Sequence, residues 1–107
     1  MTKPFEVTDA AFEEEVLQAE KPTLVDFWAA WCAPCTMVGP IVEEVSREYA
    51  DRLRMVKMDV DANPNTPQRL GIMGIPTLIL FKDGAEVTRI VGYRSKDALV
   101  EELLAHI

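Results

Sequence analysis

Three short runs of almost uninterrupted apolar residues constrain the fold of this chain more than any other feature. They cover residues 24–28, 55–60 and 77–81. A strand that is exposed on one face alternates apolar and polar residues, whereas a strand covered on both faces can be apolar throughout. The runs therefore predict central strands of a sheet that has helices packed against both of its faces.

The segments between these runs favour helices. Thr8 or Asp9 can cap a first helix, whose early turns carry three glutamates where carboxylates suit the positive helix end. A second helix is predicted from about residue 34 to residue 49, because apolar residues recur on one of its faces. Residues 63–70 are predicted to form a loop and a short helix, and Ser95 is predicted to cap a last helix.

Further signals complete the predicted architecture. The Asp83-Gly84 pair predicts a hairpin between the third apolar run and a strand at residues 86–91. Residues 3–7 can form a short edge strand. Alternating strands and helices imply parallel pairing, and the hairpin adds antiparallel strands. We therefore predict an α/β fold with a central mixed five-stranded sheet, flanked by four α-helices on both faces, in a single domain of residues 1–107.

The charge and hydropathy of the chain restrict its partners and location. Eighteen acidic and eleven basic residues give a formal net charge of −7, and such a surface repels phosphate backbones, so we expect no nucleic-acid partner. No apolar run approaches the roughly twenty residues of a membrane span, and no basic amphipathic segment suggests membrane binding. With no apolar signal segment at the start, we expect a cytoplasmic protein. We also expect a monomer.

Cys32 and Cys35 are the only cysteines, and they open the second helix directly after the first apolar run. As a structural disulfide they would close a very short loop, which would restrict the unfolded chain little. Structural zinc needs four ligands, usually cysteine or histidine, and the only histidine, His106, lies beside the C-terminus. We therefore favour a redox pair and expect no metal.

The helix start gives the two cysteines unequal roles. Cys32 lies at or just before the first turn, where unpaired N–H groups and the positive end of the helix dipole stabilise a thiolate. The thiolate is the nucleophile of disulfide exchange. Cys35 lies one turn deeper, where it can attack a mixed disulfide and release the product.

Two charged residues within the apolar runs are further candidates. Asp26 interrupts the first run, and burial should raise its pKa. We predict that it accepts the proton of Cys35 during resolution; the alternative is a carboxylate satisfied by Lys57 or water. Lys57 itself either pairs with Asp26 or is an exposed strand residue, because the alternation of a strand allows both.

These motifs resemble those of the thioredoxin family. Residues 27–35, with the sequence FWAAWCAPC, are similar to the family's active-site run, and residues 74–77, GIPT, to its cis-proline segment. Asp26, Pro40, Lys57, Gly84 and Gly92 also stand where the family pattern expects them. The resemblance extends over essentially the whole chain.

The resemblance implies a protein-disulfide reductase whose redox centre is a Cys32–Cys35 disulfide and which binds no cofactor. A thioredoxin reductase would bind NADPH and supply electrons, which would pass to disulfide-containing target proteins. Ile75-Pro76 would be a cis peptide, and the Ile75 backbone would pair with an extended target segment. The implied docking surface comprises Trp31, Ala33, Pro34, Met73, Gly74, Ile75, Pro76, Val91 and Gly92, with Trp28 and Pro40 as structural residues nearby and a kink expected at Pro40.

Two positions depart from the commonest family pattern. Ala33 replaces a glycine between the cysteines and can shift docking or redox potential, and Thr36 replaces a cation and can weaken thiolate stabilisation. Oxidants and isomerases of the superfamily commonly carry histidine before the second cysteine; Ala33-Pro34 has none, which favours a reductase. A non-catalytic binding subunit, which needs the apolar surface but not the thiols, stays open as a second function.

Overall fold

Five strands form one mixed sheet within residues 5–107, the part of the chain that the computed structural model describes. They are β1 (Phe5–Glu6), β2 (Thr23–Trp28), β3 (Arg54–Asp59), β4 (Thr77–Lys82) and β5 (Ala85–Val91). Their order in the sheet is β1-β3-β2-β4-β5. β3 runs parallel to β1 and β2, whereas β4 is antiparallel to β2 and β5. The predicted mixed sheet is confirmed; residues 3 and 4 of the predicted edge strand lie outside the described residues.

Helical segments cover both faces of this sheet, as predicted. They are a π-helix (Glu13–Leu17), α1 (Ala33–Glu48), α2 (Asn65–Arg69) and α3 (Lys96–Leu104). α1 and α3 pack on one face, whereas the π-helix packs on the other, together with Leu70 at the C-terminal end of α2. The prediction of an α-helix at the first position was wrong in type, since the Gln18 N–H donates to the carbonyl oxygen of Glu13, five residues back, at 3.0 Å. No helix in the described part of the chain has the length and apolar character to cross a membrane.

Asp9 does not cap the helix that follows it in sequence. Its carboxylate accepts hydrogen bonds from the backbone N–H of Asn65 at 3.1 Å and of Thr66 at 2.8 Å, where α2 begins. Thr8 acts locally instead, and its Oγ1 accepts the N–H of Ala11 at 3.3 Å. The contact between Asp9 and α2 joins residues that are 56 and 57 positions apart, so no local pattern reveals it.

Strand β2 occupies the centre of the molecule. Its residues 23–27 are all buried, and Trp28 at its end is half-buried. Leu24 points to the face that carries α1 and α3, whereas Val25 points to the opposite face. Asp26 follows the same alternation as Leu24 and so lies on the face covered by α1. The first apolar run is therefore the doubly covered strand that the sequence predicted.

The hairpin between β4 and β5 turns at the predicted Asp83-Gly84 pair. Asp83 has φ 55° and Gly84 has φ 82°. Left-handed backbone at both central residues is the geometry that an Asp-Gly pair favours in a two-residue hairpin turn. This turn returns the chain along β5 and brings Val91, at the end of that strand, opposite Thr77 at the start of β4.

Helix α1 extends from Ala33 to Glu48, one residue earlier at each end than predicted. Its buried face includes Val38, Val42 and Val45, which pack on the sheet. Pro40 lies on the exposed side within the helix. The helix continues on both sides of this proline, and the kink there stays a prediction.

Candidate active site

Cys32 and Cys35 form a disulfide at the start of α1, with their Cα atoms 5.3 Å apart. Cys32 is the N-cap residue and has extended backbone, and the helix begins at Ala33. The N–H of Cys35, in the first turn, points at the Cys32 sulfur, with 3.2 Å between N and Sγ. A helix N–H aimed at this sulfur is the arrangement that stabilises a thiolate. The predicted placement of both cysteines is confirmed.

The disulfide lies beneath more exposed neighbours. Cys32 is 3% and Cys35 6% exposed. Together with buried Ala29 they form a small apolar cluster, against which Trp28, Val60 and Ile75 pack. Ala33 and Pro34, between the cysteines, are exposed. The sulfur atoms are therefore reached from solvent across an exposed rim of side chains and backbone.

Thr36, which replaces the cation of the commonest family pattern, is satisfied within its own helix turn. Its Oγ1 donates to the carbonyl oxygen of Ala33 at 2.6 Å. The side chain is exposed and carries no charge. Position 36 therefore adds no positive charge beside the cysteines. The positive end of the helix dipole, at the start of α1, lies directly beside Cys32.

The Ile75-Pro76 peptide is cis, as predicted, and Ile75 packs against the cysteine cluster. Within residues 5–107, neither backbone polar group of Ile75 makes a hydrogen bond. The Pro76 carbonyl oxygen accepts the N–H of Gly92 at 2.8 Å. Gly92 has φ 86°, a conformation that favours glycine. The chain therefore presents unpaired backbone beside the disulfide, which an extended segment can join.

Exposed apolar side chains surround this backbone. Met73 is 97%, Trp31 70% and Val91 53% exposed. An open groove of about 320 Å³ runs beside the disulfide and is lined by Trp31, Val60, Pro67, Ile72, Met73, Gly74 and Ile75. The sequence analysis missed Val60, Pro67 and Ile72 as lining residues. Their signal was weak: Val60 ends an apolar run, and the other two precede the cis-proline segment without a motif of their own.

Asp61, which the sequence analysis also missed, holds the Trp31 side chain. The indole Nε1–H of Trp31 donates to Asp61 Oδ2 at 2.8 Å. The N–H of Asp61 donates in turn to Asp59 Oδ1 at 2.9 Å, which fixes the loop after β3. Trp31 and Asp61 are thirty residues apart, and they meet only because β2 and β3 are parallel neighbours that end at the same edge of the sheet.

Asp26 is buried in the sheet, with 1% of its surface exposed. Its Oδ1 has no hydrogen-bond partner in the described part of the molecule. Burial raises the pKa of Asp26 from its ordinary value of 3.8 to about 7; the charge of Lys57 lowers this pKa, and that of Glu6 raises it. The predicted effect of burial is confirmed, and the carboxyl changes its charge near neutral pH.

Lys57 lies opposite Asp26 in the register of β2 and β3 and is half-buried. Its Nζ is 4.5 Å from the centroid of the Trp28 ring, a cation–π contact. Among the described residues no salt bridge joins Lys57 to Asp26. Neither of the two predicted alternatives therefore describes Lys57 fully. The charge of Lys57 lowers the pKa of Asp26 from the neighbouring strand, whereas its close contact is with the Trp28 ring.

Comparison with known proteins places this arrangement in a family. The family model described as Thioredoxin matches residues 3–105. The chain belongs to the thioredoxin family. A Mycobacterium bovis thioredoxin is 56% identical over 97 residues, which cover 91% of this chain and 84% of that protein. The Pseudomonas aeruginosa thioredoxin is 50% identical, and thioredoxin 1 of Synechococcus elongatus 48% identical, each over 101 residues and 94% of both chains.

Family membership and the disulfide at the helix start define the class of chemistry. The protein is a thiol–disulfide oxidoreductase of the thioredoxin family, and Cys32–Cys35 is its redox-active disulfide. The WCAPC run at residues 31–35 is its form of the thioredoxin active-site motif.

The raised pKa of Asp26 predicts a pH-dependent cost in stability. The folded protein holds the proton of Asp26 more tightly than the unfolded chain does. The stability that comes from this tighter binding is fully present below about pH 4 and is lost as the pH rises to about 7. At 1.36 kcal/mol for each pKa unit, the loss amounts to up to about 4 kcal/mol. The Asp26→Asn variant has no ionisable group at this position. Its free energy of unfolding, relative to that of the parent, should therefore increase by up to this amount between pH 4 and pH 8.

Urea unfolding of both proteins across this pH range measures the difference. The same change at exposed Asp51, Asp51→Asn, is the control and should show a difference close to zero throughout. If Asp26→Asn differs from the parent by the same free energy at every pH, the raised pKa is contradicted.

Proposed function

We propose that the protein reduces protein disulfides, with Cys32 as the attacking and Cys35 as the resolving cysteine. The Cys32 thiolate attacks one sulfur of a target disulfide, forms a mixed disulfide and releases the other sulfur as a thiolate. Cys35, once deprotonated, attacks Cys32 Sγ, which forms the Cys32–Cys35 disulfide and releases the second target thiolate. Two electrons have then passed to the target, whose thiolates take up protons.

The observation that carries this assignment is the position of Cys32 as the N-cap residue. Its sulfur accepts the N–H of Cys35, and its exposed neighbours form the rim of the site. An N-cap position supplies several unpaired N–H groups and the positive end of the dipole of a 16-residue helix. Cys35 lacks this position, since it belongs to the first turn of that helix.

Asp26 is proposed to accept the proton of Cys35 during resolution. It lies on the sheet face covered by α1, the helix that carries Cys35, and one of its oxygens is free to accept a hydrogen bond. A carboxyl whose pKa is about 7 is present in both charge states at neutral pH, which suits a group that takes up and returns a proton. Lys57 would moderate its charge state from the neighbouring strand.

The unpaired backbone of Ile75 is proposed to bind an extended target segment in the manner of an added strand. The groove beside Trp31 and Met73 would receive apolar side chains of that segment, and Asp61 would hold Trp31 in place. The proposed docking surface comprises Trp31, Ala33, Pro34, Met73, Gly74, Ile75, Pro76, Val91 and Gly92, which were inferred from the sequence, and Val60, Pro67 and Ile72, which the groove adds.

A partner enzyme is proposed to regenerate the dithiol. The family model matches residues 3–105 of the 107-residue chain. NADPH would act through a thioredoxin reductase, and the protein would be a cytoplasmic, single-domain monomer that carries electrons from this enzyme to targets. This proposal rests on membership of the thioredoxin family.

The cysteine roles predict opposite results for two single variants. Cys35→Ser should form a mixed disulfide with insulin and accumulate it, because the resolving thiolate is gone. Cys32→Ser should form no such adduct and should reduce no insulin. Mass spectrometry under non-reducing conditions detects the adduct, with the parent protein, thioredoxin reductase and NADPH as the turnover control.

Adduct formation by Cys32→Ser alone would reverse the assignment of the two cysteines. If a protein with both cysteines changed to serine still reduced insulin, the cysteine pair would take no part in the reaction.

The Trp31–Asp61 contact predicts a selective effect on protein targets. Asp61→Ala removes the acceptor of the indole N–H, and a lost hydrogen bond of about 1 kcal/mol corresponds to about fivefold in kcat/KM. We expect this loss with insulin, mainly through KM, and little change with a small aromatic disulfide that does not span the groove. Asp61→Asn retains an acceptor oxygen and should recover most of the activity. Equal losses with both substrates would contradict a docking role for this contact.

A further inference from the structure

Three charged residues stand side by side across the sheet at the edge nearest β1. Glu6 in β1 is opposite Lys57 in β3, and Lys57 is opposite Asp26 in β2. Neighbouring strands are about 4.8 Å apart, and residues opposite one another project to the same face. Lys57 is therefore placed between two carboxylates, one exposed on the edge strand and one buried in the centre.

The Lys57 ammonium is held away from close contact with either carboxylate. Its Nζ lies over the Trp28 ring, 4.5 Å from the centroid. Within residues 5–107 it makes no salt bridge with Glu6 or Asp26. Because both carboxylates act on the same ammonium through space, a change in the charge of one alters the potential felt by the other.

We propose that Glu6 is a positioning residue for the Asp26 carboxyl. Through its attraction to the Lys57 ammonium and its repulsion of the Asp26 carboxylate, Glu6 sets the pH range over which the buried carboxyl exchanges its proton. An ionised Glu6 balances part of the ammonium charge and adds a negative charge on the same row. Both effects favour the neutral form of Asp26. The consequence for catalysis rests on the proposed role of Asp26 as proton acceptor.

The direction of the electrostatic effects agrees with this placement. The charge of Lys57 lowers the pKa of Asp26 against the larger effect of burial, and the charge of Glu6 raises it. For Glu6 itself, loss of water around the carboxyl raises the pKa, the charge of Lys57 and the Trp28 side chain lower it, and the charge of Asp59 raises it. The two carboxylates thus respond to the same cation in the same direction.

Glu6 is the carboxylate that lies opposite Lys57 in the register of β1 and β3, and its charge acts on Asp26. Asp59 follows Lys57 by two positions on the same face of β3, and its charge acts on Glu6. The other residues that the described structure assigns to this face near Asp26 are uncharged in the oxidised protein: Leu24 and Trp28 from β2, Leu78 opposite Asp26 in β4, Val38 from α1, and Cys35, which is held in the disulfide.

Glu6→Gln tests the proposal directly. Carbon-13 NMR of labelled aspartate carboxyls, recorded on the oxidised full-length protein, follows the titration of Asp26. Loss of the Glu6 charge should lower the titration midpoint of Asp26 by roughly half a pH unit, as expected for one charge near 10 Å away in a partly aqueous medium. Glu6→Asp retains the charge and should stay close to the parent. Glu101→Gln removes one exposed charge from α3 and controls for net charge.

An Asp26 midpoint in Glu6→Gln that equals that of Glu101→Gln, with an unchanged urea midpoint, would overturn the proposal. The pH profile of insulin reduction separates this outcome from failure of the proposed function. If the Asp26 midpoint and the profile shift together, both inferences are supported. If the midpoint shifts and the profile does not, the role of Glu6 stands and that of Asp26 as proton acceptor is overturned.

Discussion

The burial of β2 is the constraint on which the rest of the structure depends. This strand is bordered by β3 and β4 and covered by helices on both faces, and its first five residues are inaccessible to water. The chain leaves it through buried Ala29, α1 begins four residues later at Ala33, and the valine face of α1 packs on the same sheet. Cys32 is thereby fixed at the helix start. A reactive group on such rigid elements keeps its geometry without support from mobile loops.

The same burial creates the electrostatics of the site. Asp26 occupies a position in β2 where an apolar side chain would be more stable, and the desolvation of its carboxylate raises its pKa into the neutral range. The protein therefore retains a buried acid that destabilises the folded state when it ionises. Stability is commonly lost at positions that serve a reaction, and the role of proton acceptor that we propose for Asp26 would be such a case. Lys57 limits this cost from the neighbouring strand, while its ammonium stays on the Trp28 ring.

Patterns between residues close in sequence predicted most of the fold. Apolar runs identified the central strands, the Asp83-Gly84 pair identified the hairpin, and the helix that starts at the cysteines was predicted to within one residue. The same signals placed Cys32 at the helix start and Asp26 in the core. In each case the relevant physics acts between residues that are close in sequence.

The features that sequence reasoning missed join residues far apart in the chain. Asp9 caps α2, Asp61 holds Trp31, and Glu6 is opposite Lys57. Each contact follows from the strand order β1-β3-β2, which brings the ends of β1, β2 and β3 together. Periodicity and capping rules contain no information on that order. The identity of the groove residues depends on it in the same way, since Val60, Pro67 and Ile72 come from the segment after β3.

The most direct test of the account is an equilibrium titration of the Cys32–Cys35 disulfide against glutathione. Ala33 and Pro34 bring no cation between the cysteines, and Thr36 is uncharged and bonded within its turn. No group at these positions adds to the stabilisation of the reduced form that the helix start provides. The account therefore predicts that the disulfide persists even when reduced glutathione is in large excess, as expected of a reductase. Reduction of half of the protein at only a slight excess of reduced glutathione would show an oxidant and contradict the account.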